Sequence, residues 1–264
     1  MAEPLARAVS FRGGGFAPER HRLAAWLAFA VAVLVWQAAL SLGLVSAVFL
    51  PSPASILVAL GHLALSGELW RHLSVSLWRI VSGWALGTAA GLALGMAMGL
   101  YSLARAIGLS FVSALFPIPK IALLPLLILW LGIGEPSKVA TIALGVFFPT
   151  VIATFSGIDA VPRGLIRMAQ SFGAPMPAIV AKIVLPGALP SIIAGARVSA
   201  ATALLLVVAA EMIGAQEGIG AFINTAGNLM QTDQLMAGVV VLALLGLVVG
   251  GLLSALERRL LRWR

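Results

Sequence analysis

From Leu23 to Gly67 the chain carries no Asp, Glu, Lys or Arg, and from Val139 to Ile158 it runs twenty residues without a charge. About 20 apolar residues are what a helix needs to cross a bilayer. In hydrocarbon every backbone N–H and C=O must find a partner within the segment, so a lone apolar run of this kind has one solution, the α-helix. The rest of the chain follows suit. Only 10% of its 264 residues are charged and 61% are hydrophobic, whereas a soluble domain is about one quarter charged. There is too little polar surface to coat a soluble body of this size, so an all-α polytopic membrane protein is expected.

Six spans are expected, at roughly 23–44, 80–100, 106–131, 139–158, 192–210 and 234–256, in one transmembrane domain over 23–256. The first apolar run is too long for a signal-peptide core and is read as a retained span. Short tails at 1–22 and 257–264 flank the domain. Segments placed inside hold Arg7, Arg12, Arg20, Arg22, Arg105, Arg163, Arg167, Lys182, Arg258, Arg259, Arg262 and Arg264. Those placed outside hold Arg71 and Lys138, with Arg79 at a border. That asymmetry puts both termini in the cytoplasm. The net charge of +8 therefore serves topology and anionic headgroups rather than nucleic acid.

Several chemistries are excluded. There is no cysteine, hence no disulfide or thiolate. The three lysines, Lys120, Lys138 and Lys182, do not follow a glycine, so no phosphate loop exists and the chain binds no ATP that way. His21, His62 and His72 show no metal spacing. No intramembrane carboxylate–histidine chain suggests a proton relay, so energy for pumping must come from elsewhere.

Between the fourth and fifth spans lies a polar stretch, residues 159–191, with Asp159, Arg163, Arg167 and Lys182. Gly173, Pro175 and Pro177 interrupt it, and Pro186 and Pro190 punctuate its end. The pattern predicts helix, tight turn, short helix, stop, in water on one side of the membrane. It reads as a docking surface for an absent partner.

Other residues stand out within the spans. Gly83, Gly87, Gly91, Gly95 and Gly99 recur every four residues, a ridge without side chains along one helix. It suits close helix packing, or else lines a pathway. Pro117, Pro119 and Pro125 predict a broken third span. Lys120 within it is either a snorkelling cation or a pathway charge. Arg197 reads as an inner anchor or a compensating charge for a passing anion. Glu211, at the outer end of the fifth span, is either interfacial or part of an outer gate, with Arg197 of another copy as one candidate partner.

The polar stretch resembles the coupling loop of permease subunits in ATP-binding-cassette importers: Glu-Ala-Ala, three residues, Gly, nine residues, Ile, one residue, Leu-Pro. Here Ala169 precedes Gly173 by four, Ile183 follows it by ten, and Leu185–Pro186 sits at the expected offset. Arg167 and Met168 replace the usual Glu and Ala. The stretches LPSP (50–53), SLWRIVSGWALG (76–87), IPKIALLPLLILWLGIGEPSK (118–138) and AEMIGAQEGIG (210–220) are similar to the nitrate, sulfonate and taurine branch. The resemblance implies an inner-membrane permease homodimer for a small solute, such as a sulfonate, taurine or nitrate. It implies two cytoplasmic ATPase subunits that use ATP and an extracytoplasmic solute-binding protein. A vitamin or pyrimidine-type precursor is the alternative cargo, and a stand-alone secondary transporter the rival class. Arg167, Ala169, Gly173, Ile183, Leu185 and Pro186 are then the ATPase-coupling residues, and Lys120, Arg197 and Glu211 the pathway or gate candidates.

Overall fold

The computed structural model describes residues 22–46 and 48–262. The expected tail at 1–22, except Arg22, and the last two residues of the tail at 257–264 lie outside these. The chain divides into two compact units, residues 1–55 and 56–264. The first unit contains α1 (Arg22–Ser41). Gly43, at φ +69°, closes α1: its amide donates to Leu40 O and that of Leu44 to Ala39 O, each at 3.0 Å. α2 (Pro53–Leu65) starts in this unit and runs on into the second.

The second unit follows with α3 (Glu68–Leu100), α4 (Ser102–Leu115), a 3₁₀ turn (Lys120–Leu123), α5 (Leu124–Leu131) and α6 (Glu135–Asp159). Then come α7 (Arg163–Ser171), α8 (Met176–Ile179), a π-turn (Val180–Val184), α9 (Leu185–Gly214), α10 (Ile219–Asn228) and α11 (Thr232–Leu260). No strand occurs among the described residues. Among the described residues, four helical stretches are long and apolar enough to cross a membrane: 68–100, 135–159, 176–214 and 232–260. The pair 102–115 and 120–131, bent by 87°, makes a fifth if counted as one broken span.

Three boundaries differ from expectation for physical reasons. α3 begins at Glu68 rather than Ile80. The charges at 68–79 mark where side chains turn polar, but they do not end a helix, and Glu68 in the first turn favours one. Likewise α11 runs on through Arg258 and Arg259 to Leu260, into the expected tail. Pro186 does not stop the hairpin's second helix: residues 176–214 form one continuous helix. A proline ring needs the carbonyl four residues back moved aside. The π-turn just before Pro186 widens the helix, with Leu185 N–H reaching back five residues to Val180 O.

The glycine row organises the core. An added Cβ on Gly83 would meet Ile142, on Gly87 Val146, on Gly91 Thr150, on Gly95 Thr154 and on Gly99 Ile158. Each pair differs by 59 in number, so α3 and α6 run parallel and in step for four turns. Without side chains on that ridge, the α3 backbone lies directly on α6. Thr141, Thr150 and Thr154 of α6 are buried, and each hydroxyl donates to the carbonyl four residues back at 2.7–2.8 Å. They therefore bring no unpaired polar group into the core. α9 covers another side of α6 and runs antiparallel: Gly157 abuts Ala188, Gly195 abuts Ala153, and Gly145 abuts Thr202 and Leu206.

Candidate functional site

Two sites stand at opposite ends of this block. At the end where α3 and α4 meet lies the hairpin. α7 is amphipathic, and its apolar residues Ile166 and Ala169 pack with Ile158, Ile179, Val184 and Ala188. The spacing of Ala169 and Gly173 has a specific geometry. Ala174 N–H donates to Ala169 O at 3.0 Å and Gly173 N–H to Gln170 O at 2.9 Å, with Gly173 at φ +72°. This is a Schellman cap: the alanine supplies the last-turn carbonyl and the glycine the left-handed residue. Nothing lies within 4 Å of a Cβ on Gly173, so the turn faces open space. Arg167 is exposed on α7, Ile183 is half-buried in the π-turn, and Leu185 and Pro186 are half-buried at the start of α9. Phe172, which the sequence reading passed over, stands 83% exposed beside Gly173, with Leu165, Met168 and Met176 also exposed. Its signal was present in the sequence, an aromatic residue at a polar turn.

At the other end the structure holds a buried ion-pair knot. Glu211 is buried, at 1% exposure. Its carboxylate accepts from Ser76 Oγ at 2.8 and 3.0 Å, Arg79 Nη1 at 2.8 Å and Gly220 N–H at 2.8 Å. Ile219 N–H donates to Ser76 Oγ at 2.9 Å, and Gly218 N–H to His72 Nδ1 at 3.1 Å. Glu211 thus caps the N-terminus of α10, where free amides and the helix dipole favour an anion. Gly218, at φ +125°, has to be glycine, because a Cβ there would run into the Glu211 carboxylate. This accounts for the AEMIGAQEGIG stretch: the acid, the loop and the glycines form one structure.

Arg79, which the sequence places only at a border, is the hub. It is 2% exposed. Nη1 also donates to Glu217 O at 2.6 Å, while Nε and Nη2 grip Glu135 at 2.6 and 2.5 Å. One guanidinium therefore joins α3, α6, α9 and the loop before α10. The pairing of Glu211 with Arg197 of another copy is corrected: bound on all sides within its own chain, the carboxylate presents no free face. Arg197 instead donates to Glu257 Oε2 at 2.5 Å and Ser254 Oγ at 3.3 Å, tying α9 to α11.

Lys120 sits at the break in the bent pair. Its ammonium donates to Leu115 O, Phe116 O and Ile118 O at 2.9, 2.9 and 2.6 Å and lies 4.4 Å from the Phe148 ring centroid. Pro119 has no N–H for Leu115 O, and the lysine replaces it. All three ammonium protons are engaged. The structure therefore does not bring Lys120, Arg197 and Glu211 together; each closes a different local network.

Residues 87–262 match the family model described as binding-protein-dependent transport system inner membrane component. The chain is 42% identical over 242 residues, 92% of both chains, to the putative aliphatic sulfonates transport permease protein SsuC of Escherichia coli (strain K12). It is 37% identical over 239 residues, 89% of this chain and 87% of the relative, to the taurine transport system permease protein TauC of the same organism. Its fold is similar to a chain of the MetNI methionine ABC transporter in an inward facing conformation, with a TM-score of 0.60 and 22% identity over 70% of this chain and 92% of that one. With the family model matching two thirds of the chain and relatives matching nearly all of it, this protein belongs to the binding-protein-dependent transport system inner membrane components.

Proposed function

We propose that this chain is the membrane-spanning permease of an ATP-driven importer for small organic sulfonates. Two copies form the pathway, two cytoplasmic ATPase subunits supply the energy, and an extracytoplasmic binding protein delivers the solute. The hairpin carries the reading. It ends in an open, rigid Schellman turn flanked by exposed Phe172, Met168 and Met176, a small apolar knob suited to a partner's groove. It then continues without a break into a helix that reaches the Glu211 knot. Arg105, Arg163, Arg167, Lys182, Arg258 and Arg259 gather toward the hairpin end, which supports a cytoplasmic hairpin and C-terminus. α1, with 20 residues and hence about 30 Å long, supplies a sixth crossing. The names of the two sulfonate relatives support the cargo.

ATP binding that draws two ATPase subunits together moves the hairpins seated in them. A stiff helix turns that motion into a change in how the packed spans meet. Gly173→Arg tests this cleanly. Open space at Gly173 limits the folding cost to left-handed strain, about 1–2 kcal/mol, while the new side chain blocks the groove. In vesicles reconstituted with all partners, ATP-driven ethanesulfonate uptake is expected to fall at least about tenfold, since an unseated turn loses the shape fit that transmits force. Uptake at the normal rate refutes the coupling role.

A further inference from the structure

The ion-pair knot has one open side. A cleft of about 790 Å³ lies against it, lined among others by Ser74, Trp78, Arg79, Glu135, Lys138 and Gln216. Two cations border the cleft, and both are buried: Arg79 at 2% and Lys138 at 5% exposure. Their two counter-ions differ. The Glu211 side chain is 0% exposed and fixed from three directions, whereas Glu135 is 46% exposed and, among the described residues, held only through the Nε–Nη2 fork of Arg79. Lys138 Nζ donates to Gly134 O at 3.0 Å and, among the described residues, has no carboxylate within 4.0 Å. A third carboxylate on the lining, Glu217, pairs with Arg71 at 3.7 Å; beside that neutral pair, two positive charges face one permanent negative charge and one on the rim. The balance closes only while a second single negative charge occupies the Arg79 fork.

We propose that this cleft is a binding site for a monoanionic sulfonate, and that Glu135 is the built-in occupant which the sulfonate displaces. Two sulfonate oxygens match the guanidinium fork as a carboxylate does. The third oxygen, which a carboxylate lacks, takes the ammonium of Lys138. Glu135, 46% exposed, swings to water, and the sulfonate takes over its two hydrogen bonds to Arg79, so the fork is never left empty. The charge seated in the fork is unchanged by the exchange, whereas a dianion such as sulfate leaves an uncompensated charge there. Trp78 and Ile133, both exposed on the wall of the cleft, offer apolar surface to the organic tail. The proposal rests on the sulfonate-import reading for its cargo, but its chemistry depends on these residues alone.

Ethanesulfonate binding to the full-length chain in lipid nanodiscs, without binding protein, tests it by calorimetry. Glu135→Gln removes the competitor and leaves an extra positive charge, so affinity is expected to rise on the order of tenfold. Lys138→Gln shifts charge the other way and is expected to lower it by a similar factor. The double variant returns near the wild-type value, a rescue that loss of fold does not produce. Sulfate binds more weakly than ethanesulfonate throughout. Equal affinities in all four proteins, or no binding by folded Glu135→Gln, overturn the site. Import proceeding without this ladder of affinities overturns the site alone. A ladder without sulfonate import in the complete system keeps the site and overturns the proposed cargo.

Discussion

Replacing Arg79 by Met removes two hydrogen bonds to Glu135, one to Glu211 and one to Glu217 O. It leaves the Glu211 carboxylate without its counter-ion at a position where its side chain has no solvent exposure. Breaking a buried pair from one side costs about 3–5 kcal/mol. Ser76 Oγ, Gly220 N–H and the α10 terminus still hold the carboxylate, which places the expected loss near the lower end, about 3 kcal/mol. Glu211→Gln is milder. Arg79 keeps Glu135, and the cost is that of an amide group forced against a donor, about 1–3 kcal/mol. In the double variant no charge is left buried alone, so its loss is expected to stay near that of Arg79→Met. That corresponds to a coupling of about 2 kcal/mol, within the range for contacting residues. Reversible unfolding of the full chain in mixed micelles, followed by tryptophan fluorescence, measures all three. Additive losses, or Arg79→Met no worse than Glu211→Gln, refute the argument that the guanidinium's main task is to neutralise a buried carboxylate.

Gly91→Ala places a Cβ 2.8 Å from Phe147 O and Thr150 Cβ; the helices must part, for a loss of about 1–3 kcal/mol in the same assay. Gly61→Ala in α2, with nothing within 4 Å, serves as control and gains about 0.5–1 kcal/mol. Equal effects at the two positions refute close packing of α3 on α6. Gly218→Ala drives a Cβ into the Glu211 carboxylate and costs about 1–3 kcal/mol by overpacking. In a Glu211→Ala background that overpacking is relieved, but alanine at φ +125° and ψ 156° still carries backbone strain of about 1–3 kcal/mol; a Gly218→Ala loss that vanishes entirely there refutes the backbone's demand for glycine.

Local rules carried the reading as far as they reach. The charge-free run 139–158 marked α6, because no other structure satisfies its backbone in lipid. Five glycines at a spacing of four marked the face of α3 that meets α6, since the feature needed, an absent side chain, is visible in the letters. The knot was not legible. Arg79 and Glu211 are 132 residues apart, and no spacing tells which of several charges near the same end will meet. Charge also served there as a marker of water, which put Arg79 at a border. A charge that finds its hydrogen bonds and counter-ion inside the protein has no such need. Pro186 was misjudged for a related reason: proline stops an ideal helix, but a π-turn beside it lets the helix continue, and nothing in VAKIV announces that turn.

That continuation changes what the hairpin is attached to. A stop at Pro186 would have left a joint between the hairpin and the fifth span, and a joint absorbs displacement. Instead the helix from Met176 to Gly214 has 39 residues, about 58 Å at 1.5 Å per residue, and Glu211 lies three residues before its end. α6 flanks it, and α6 is itself locked in register to α3 by the glycine row. The break, by contrast, is confined to 116–119, where Lys120 binds the carbonyls of Leu115, Phe116 and Ile118. Stiffness and compliance are thus segregated along the chain. The elements joining the two sites are continuous and closely packed, and the bend at 116–119 lies outside them. A movement imposed at Gly173 has no softer route to dissipate before it reaches the Arg79–Glu211 pair, so the two ends of α9 are expected to move as one body.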